Sequence, residues 1–407
     1  MARTPLLPVA DALARILATA ERPLEPEDVA LADALGRRLA CDLAARRTQP
    51  PCPVSAMDGY AVRAADIATI PAQLRVLGVS AAGHGFAGSV GPGEAARIFT
   101  GAPVPEGADT ILIQEDANAE DGYVTALASE PLGRYVRRAG LDFAAGDVLL
   151  SAGRRMGPAE LALAAAMNHA TLSLVRRPRV AILATGDELV PPGANPGPDQ
   201  IVASNNFAVG AYARQAGAEV IDLGIAGDDF PALEAAISRA RDLKADVLVT
   251  LGGASVGDHD LVQTALTREG MELGFWRIAM RPGKPFMHGR IGDMRILGLP
   301  GNPVSAIVCA VLFLVPLVRA LSGDKDAGAD ATRPAILGAD LPENDQRQDY
   351  LRARISGLNE GVATATPFSK QDSSMLGVLA EAQGLIVRAP DAAPAKKGDA
   401  CRVMLLI

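Results

Sequence analysis

From Arg179 to Leu321 the chain alternates between short apolar runs and longer amphipathic stretches. Val180 to Thr185 is one continuous run. Ser204 to Gly217 reads as helix, Val220 to Ile225 as strand, Pro231 to Leu243 as helix and Asp246 to Leu251 as a further buried strand. Arg295 to Leu299 and the helical stretch from Pro303 to Leu321 close the series. A run that is apolar at every position cannot keep one face in water. It must be covered on both sides, which predicts a parallel sheet wrapped by helices. Ligands of such sheets sit outside the carboxyl ends of the strands, so the polar turns that follow the runs are the places to look for a site.

The rest of the 407 residues has a different texture. The first fifty residues read as helical, with Ala and Leu at helical spacing, until Pro50, Pro51 and Pro53 break the pattern. Beyond them, Leu74 to Val79, Ala95 to Thr100 and Thr110 to Glu115 alternate with Gly- and Pro-rich turns, the pattern of a β-rich domain. Gly157-Pro158-Ala159-Glu160 is a helix start, expected to pack with the N-terminal helix. Past Asp326, strands are expected at Tyr350 to Ile355, Gly384 to Arg388 and Arg402 to Ile407. The expected organisation is α/β and multidomain. Residues 1–50 with 143–175 form a helical linker domain, 51–142 a β-rich domain, 176–326 a βα domain with a mixed or parallel sheet, and 327–407 a small C-terminal β domain.

A net charge of −8 argues against a nucleic-acid partner. An acidic chain that binds anions must gather its cations and backbone N–H groups locally. Cys41, Cys52, Cys309 and Cys401 have no CxxC spacing, so reduced thiols and a cytoplasmic setting are expected. Asp11 and Arg15 interrupt the N-terminal apolar stretch, which reads as an amphipathic helix from Val9 rather than a signal peptide. Pro303 to Val318 is short for a bilayer span and reads as a buried helix, so no membrane association is expected. His84, His169, His259 and His288 form no HExxH pair, and no GxSxG elbow is present.

Three polar clusters follow predicted strands: Thr185-Gly186-Asp187-Glu188-Leu189, Leu251 to Asp260, and Leu299-Pro300-Gly301-Asn302-Pro303-Val304-Ser305. In the second, Gly252 and Gly253 let backbone N–H groups approach a ligand, and a helix from about Asp258 would aim its positive end there. That describes an oxyanion cradle; a tight turn with Asp258 as N-cap is the plainer alternative. The third puts Ser305 in the first turn of a helix. Before it, Arg281-Pro282-Gly283-Lys284-Pro285 holds two cations on a stiff loop. They either converge on one anion or belong to a solvated turn. Asp58, Asp142, Asp228 and Asp229 stand in turn settings. Carboxylates near such a cradle suit Mg²⁺, though turn chemistry alone accounts for each of them.

Six stretches stand in order along the chain: Pro53 to Ala61, Thr100 to Pro105, Ala184 to Leu189, Gly252 to Asp260, Pro282 to Pro285 and Leu299 to Ser305. Together they resemble the molybdopterin molybdenumtransferase family (MoeA type), whose relatives include the gephyrin E domain. The resemblance implies a cytoplasmic homodimer of four-domain subunits, with a βα domain like that of molybdopterin adenylyltransferase. It implies Mg²⁺-dependent cleavage of adenylylated molybdopterin, insertion of molybdate and release of AMP, at a site shared between subunits. Molybdopterin adenylyltransferase and other cofactor-assembly proteins are the implied partners. Carried over by motif, Asp260 is the magnesium-associated carboxylate, and Ser255 and Ser305 lie near the pterin nucleotide. Arg281 and Lys284 hold molybdate, with Arg281 standing where the family usually has Lys. Arg352 and Ser373 resemble a C-terminal pair at the molybdate site, and Asp58, Thr100, Asp142, Glu188 and Asp228 match polar positions of the cleft. Thr185, Gly252, Gly253, Asp258, Pro300 and Pro303 complete the expected substrate site. Two rivals stand beside this reading. One is a scaffold of the same fold, expected to carry a long linker and a further fused domain. The other is a different nucleotide-phosphate transferase.

Overall fold

The computed structural model describes residues 6–253, 261–357 and 361–406. Two compact units emerge: Met1–Glu27, Gly36–Ala40 and Leu174–Ile407 make the larger, Asp28–Leu35 and Cys41–Ser173 the smaller.

The larger unit is built on a six-stranded sheet. Its strands are β1 (Arg179–Thr185), β2 (Glu219–Ala226), β3 (Val247–Leu251), β4 (Glu272–Trp276), β5 (Met287–Ile291) and β6 (Met294–Leu299), in the order β2-β1-β3-β6-β5-β4. The first four strands of that order are parallel, and β5 and β4 add an antiparallel edge. The sequence pattern misses β4 and β5. Gly274, Gly289 and the polar His288 and Arg290 interrupt their apolar runs, as an edge with less to bury permits. Along β1, Val180 and Ile182 face one core while Ala181 and Leu183 face the other. The first core takes Ala12 and Ile16 of α1 (Val9–Leu17), Val209 of α2 (Asn205–Gln215) and the apolar stretch Pro303–Leu321. The second takes Leu233 and Ile237 of α3 (Phe230–Asp242) and Val262 and Leu266 of α4 (Leu261–Arg268).

Among the described residues of the N-terminal fifty, helix is confined to Val9–Ala20 and a single 3-10 turn at Leu31–Asp33. Pro23 and Pro26 stop the helix, and Pro26–Ala30 is extended. α1 belongs to the larger unit, in the core of the βα sheet. The helix Pro158–Ala166 belongs to the smaller unit and packs on the Leu31–Asp33 turn. The expected pairing of these two helices therefore gives way to separate cores.

Pro303–Leu321, α5, is long and apolar enough to cross a membrane, yet Val304, Ala306, Val308, Phe313, Leu314 and Leu317 are fully buried in the first core. It is a core helix, as its interrupting Ser305 and Pro316 suggest. Its middle, Ala310–Leu314, is π-helical just before Pro316. Proline supplies no N–H and crowds the preceding turn, so the helix widens there instead of breaking.

The C-terminal strands are β7 (Thr332–Leu337), β8 (Gln348–Ser356), β9 (Ala363–Pro367), β10 (Gly384–Arg388) and β11 (Ala400–Leu405). Pairing runs β8-β9-β7-β11-β10 and returns from β10 to β8, closing a small barrel. Met280–Arg281 adds to its edge, parallel to β8.

The smaller unit holds a six-stranded sheet in the order Thr110–Ile113, Gly59–Val62, Glu94–Ile98, Ala72–Ser80, Tyr123–Ala126, Ala117–Glu120. Tyr60, Leu74, Ala95, Leu112 and Val124 pack at its core. This is the β-rich texture expected of residues 51–142.

Candidate functional site

The chain leaves β1 for β2 on one side of the sheet and returns to β3 on the other. The turns that follow β1 and β3 therefore diverge, and a crevice opens where the order reverses. A cleft of about 820 Å³ occupies that place. This volume lies within the range that holds a cofactor-sized ligand.

Four short segments make its walls. Thr185 ends β1, Gly186 and Glu188 follow it, and Asp228 follows β2. Gly252 and Gly253 follow β3, and Pro300 to Pro303 follow β6. Ser204, Asn205 and Asn206 at the start of α2 close the rim, with Pro285 and Ser374 beside them. The turns brace one another. Asn205 Nδ2 donates to the Gly301 carbonyl at 2.7 Å, and a Cβ on Gly301 would lie 3.7 Å from Gly252 Cα.

Both glycines of the second cluster have positive φ, +104° and +65°. A Cβ on Gly252 would meet the Thr185 carbonyl at 2.6 Å, and one on Gly253 would meet Val262 Cγ2 at 2.2 Å. The protein's own packing thus demands glycine here, before any ligand does.

The acidic wall is crowded. Asp187 Oδ1 accepts the Asp228 N–H at 3.0 Å. Burial, followed by the neighbouring Asp187 and Glu188 carboxylates, pushes the Asp228 carboxyl above the usual aspartate range. On the facing rim, Asn206 Oδ1 is buried without a hydrogen-bond partner among the described residues. An orphaned acceptor and repelling carboxylates both gain from a donor or a cation in the cleft.

Three family models match in series: the MoeA N-terminal region (domain I and II) over residues 7–168, a probable molybdopterin binding domain over 181–320, and the MoeA C-terminal region (domain IV) over 334–406. The molybdopterin molybdenumtransferase of Haemophilus influenzae is 34% identical over 383 residues, covering 94% of both chains. Molybdopterin molybdenumtransferase 2 of Mycobacterium tuberculosis is 37% identical over 384 residues, covering 91% of this chain and 93% of its own. The chain belongs to the molybdopterin molybdenumtransferase family. The crystal structure of the molybdopterin biosynthesis MoeA protein from Pyrococcus horikoshii agrees, with a TM-score of 0.85, 30% identity and 98% and 99% of the two chains covered. The curated relatives are named as transferases, and the chain is an enzyme of that family, belonging to molybdenum-cofactor biosynthesis.

The expected site residues of this family member divide into groups. Thr185, Glu188, Asp228, Gly252, Gly253, Pro300 and Pro303 come together on the cleft walls. Ser255, Asp258 and Asp260 lie outside the described residues. Ser305 is buried in the first turn of α5, behind the lining turn. Ser373 gives its carbonyl to the Val304 N–H at 3.0 Å, and it is the next residue, Ser374, that lines the cleft.

Two expected anion ligands are already engaged. Arg281 is bound by residues of the C-terminal barrel. Its Nη2 donates to Asp349 Oδ2 and to Asn344 Oδ1 (3.3 Å), and Nη1 donates to Asp345 Oδ2 at 3.3 Å. Asp349 is 3% exposed, so the loop cation is neutralised by the C-terminal barrel. Arg352 is 1% exposed. Its N and Nε reach Gln371 Oε1 at 3.0 and 3.2 Å, and Nη1 reaches the Met375 carbonyl at 3.2 Å. It shapes the loop that carries Ser374 to the cleft instead of facing the cleft itself. Lys284 is exposed, and among the described residues its ammonium has no partner.

Asp58, Thr100 and Asp142 lie in the smaller unit. Asp58 Oδ1 accepts the Thr100 N–H at 2.7 Å and the Thr100 hydroxyl at 2.9 Å, which hold its carboxyl below the usual range. Asp142 is exposed in a turn, its N–H donating to the Gln49 carbonyl at 3.0 Å. The sequence reading missed Asn205, Asn206, Pro285 and Ser374. Ser204-Asn205-Asn206 did carry a signal, since polar side chains open a helix that follows a strand turn, where ligands gather.

Proposed function

We propose that the chain inserts molybdate into adenylylated molybdopterin in a Mg²⁺-dependent reaction that releases AMP. The observation that carries this reading is the cleft at the point where the strand order reverses. Its glycine turn suits a phosphate, its acidic wall suits a divalent cation, and Lys284, exposed on an adjoining loop, has no partner among the described residues.

Among the described residues no set of three His, Cys, Asp or Glu side chains is arranged to hold a metal alone. Mg²⁺ needs no such cage, because it retains waters and takes only one or two carboxylates. Asp228, raised chiefly by burial and then by its carboxylate neighbours, fits that requirement; Asp228 and Glu188 would hold the ion. When bound, Mg²⁺ supplies charge neutralisation at the phosphoanhydride oxygens. The remaining work falls to the chain. The Gly252–Gly253 turn seats the nucleotide phosphate, Asn205 fixes the Gly301 turn, and Lys284 attracts the molybdate oxyanion. Holding the two anionic substrates together replaces a costly encounter between them. No side-chain nucleophile is required, as in phosphoryl transfer generally.

The same reading, supported by the resemblance, makes the protein a cytoplasmic homodimer. Asp58 and Thr100 of one subunit then serve the cleft of the other, and molybdopterin adenylyltransferase supplies the substrate. The test is direct. Purified protein is mixed with adenylylated molybdopterin, Mg²⁺ and molybdate, and AMP is followed. Release that requires Mg²⁺ is expected; no release from folded protein sinks the proposal.

A further inference from the structure

In the smaller unit, Gly59–Val62 pairs with Glu94–Ile98 so that Tyr60 stands opposite Arg97. The Arg97 guanidinium lies 5.0 Å from the ring centres of both Tyr60 and Phe99. It is anchored by the Gly59 carbonyl at 3.1 Å and by Gln114 Oε1 at 2.8 Å. Tyr60 is buried, whereas Phe99 and Met57 are each 38% exposed. The chain therefore braces an aromatic ring with a fixed cation and leaves part of the ring exposed.

Asp58 adjoins this ring through Thr100. Its Oδ1 is filled by the Thr100 N–H and hydroxyl. Oδ2 takes no hydrogen bond among the described residues, and the Thr100 hydroxyl, having donated, keeps its acceptor lone pairs. Along the edge beside Phe99 the free positions of Asp58 and Thr100 are thus acceptors, while the nearby Arg97 guanidinium is taken up by Gly59, Gln114 and the two rings. Adenine presents its amino group beside a ring acceptor and matches half of the edge. A 2-amino-4-oxopyrimidine ring, flat and with an amino group next to a ring N–H, matches all of it.

We propose that Asp58, Thr100 and Phe99 form the recognition element for the pterin ring of the substrate, with Phe99 stacking on it and Asp58 accepting from its 2-amino edge. This rests on the pterin-nucleotide reading above. It assigns Phe99 and Arg97 a part in specificity, Phe99 as the stacking plane and Arg97 as the residue that positions it.

The test uses the full chain and two fluorescent probes. One is 6-hydroxymethylpterin; the other is the corresponding lumazine, which carries oxygen in place of the 2-amino group. The wild type is expected to bind the pterin about tenfold or more tightly than the lumazine. Phe99→Ala should weaken pterin binding about 5- to 100-fold, and Phe99→Trp should restore it. Asp58→Asn should bring the two probes to similar affinity. Equal binding of both probes by the wild type, no pterin binding by it, or unchanged binding in a folded Phe99→Ala variant would overturn the assignment. Phe99 is partly exposed, so its removal leaves the core closed, and circular dichroism checks this. AMP release separates the two readings. Release by the wild type, with an unchanged substrate KM in Phe99→Ala, rejects the stacking role and keeps the transferase. No release by the wild type rejects the transferase, while probe discrimination still reports on the ring site.

Discussion

Lys284 and Arg281 sit three positions apart, yet their surroundings give them different work. Arg281 is bound to Asp345 and Asp349, whereas Lys284 is exposed and its ammonium has no partner among the described residues. Lys284→Ala is expected to raise the molybdate concentration for half-maximal insertion about tenfold, the loss of one charge-assisted contact, with no change in the thermal midpoint. Arg281→Ala should do the reverse. It strands the buried Asp349 carboxylate and lowers stability by about 2–3 kcal/mol, discounted from the buried-pair value because Arg281 is half exposed. Urea unfolding and molybdate titration of both variants distinguish the roles. Asp228 offers a pH test. Its pKa is raised on folding, so its ionisation costs stability above that raised value and costs nothing below the ordinary 3.8, where both states are protonated. Asp228→Asn should therefore raise the thermal midpoint at pH 7, and the gain should vanish below that ordinary value. Added Mg²⁺ should raise the midpoint of the wild type more than that of the variant, because only the wild type has the repulsion to relieve.

At the scale of elements, the segment Met280–Pro285 is the piece to disturb. Met280–Arg281 is stitched to β8, and Gly283 then turns with a φ of +114°. A Cβ there would meet Cys309 Sγ at 2.6 Å and Met280 Cε at 3.0 Å. Gly283→Ala combines left-handed strain with overpacking against α5 and should cost about 2–4 kcal/mol. A shifted urea midpoint together with a raised molybdate requirement would show that the turn sets the position of Lys284. A normal midpoint would show that α5 yields to the extra carbon. The Pro-Gly-Lys-Pro motif was legible as a stiff frame. Its tie to the C-terminal barrel was not, because Asp345 and Asp349 stand more than sixty residues downstream.

For the whole molecule, the homodimer proposal makes a sharp prediction. Asp58→Ala and Glu188→Ala variants should each be inactive alone. If each site draws on both subunits, mixed dimers contain one site with neither lesion, and an equal mixture should recover about a quarter of wild-type activity. Recovery is measured by AMP release after subunit exchange; none, from dimers shown to have exchanged, would confine each site to a single subunit.

The sequence by itself determined the layered βα core, the β-rich character of residues 51–142, the buried helix α5 and the family. These follow from local quantities: apolar periodicity, proline and glycine punctuation, and motifs read within a few residues. Tertiary structure alone decided the rest. It placed α1 in the βα core, because Ala12 and Ile16 could have covered any apolar surface. It added β4 and β5, whose weak pattern becomes a strand only beside β6. It withdrew Arg281 and Arg352 from the set of open cations by surrounding them with partners distant in sequence, and among the described residues it left Lys284 without one. A charge in a sequence is only an inventory; whether it can meet a ligand depends on which carboxylates and carbonyls the fold has already brought to it.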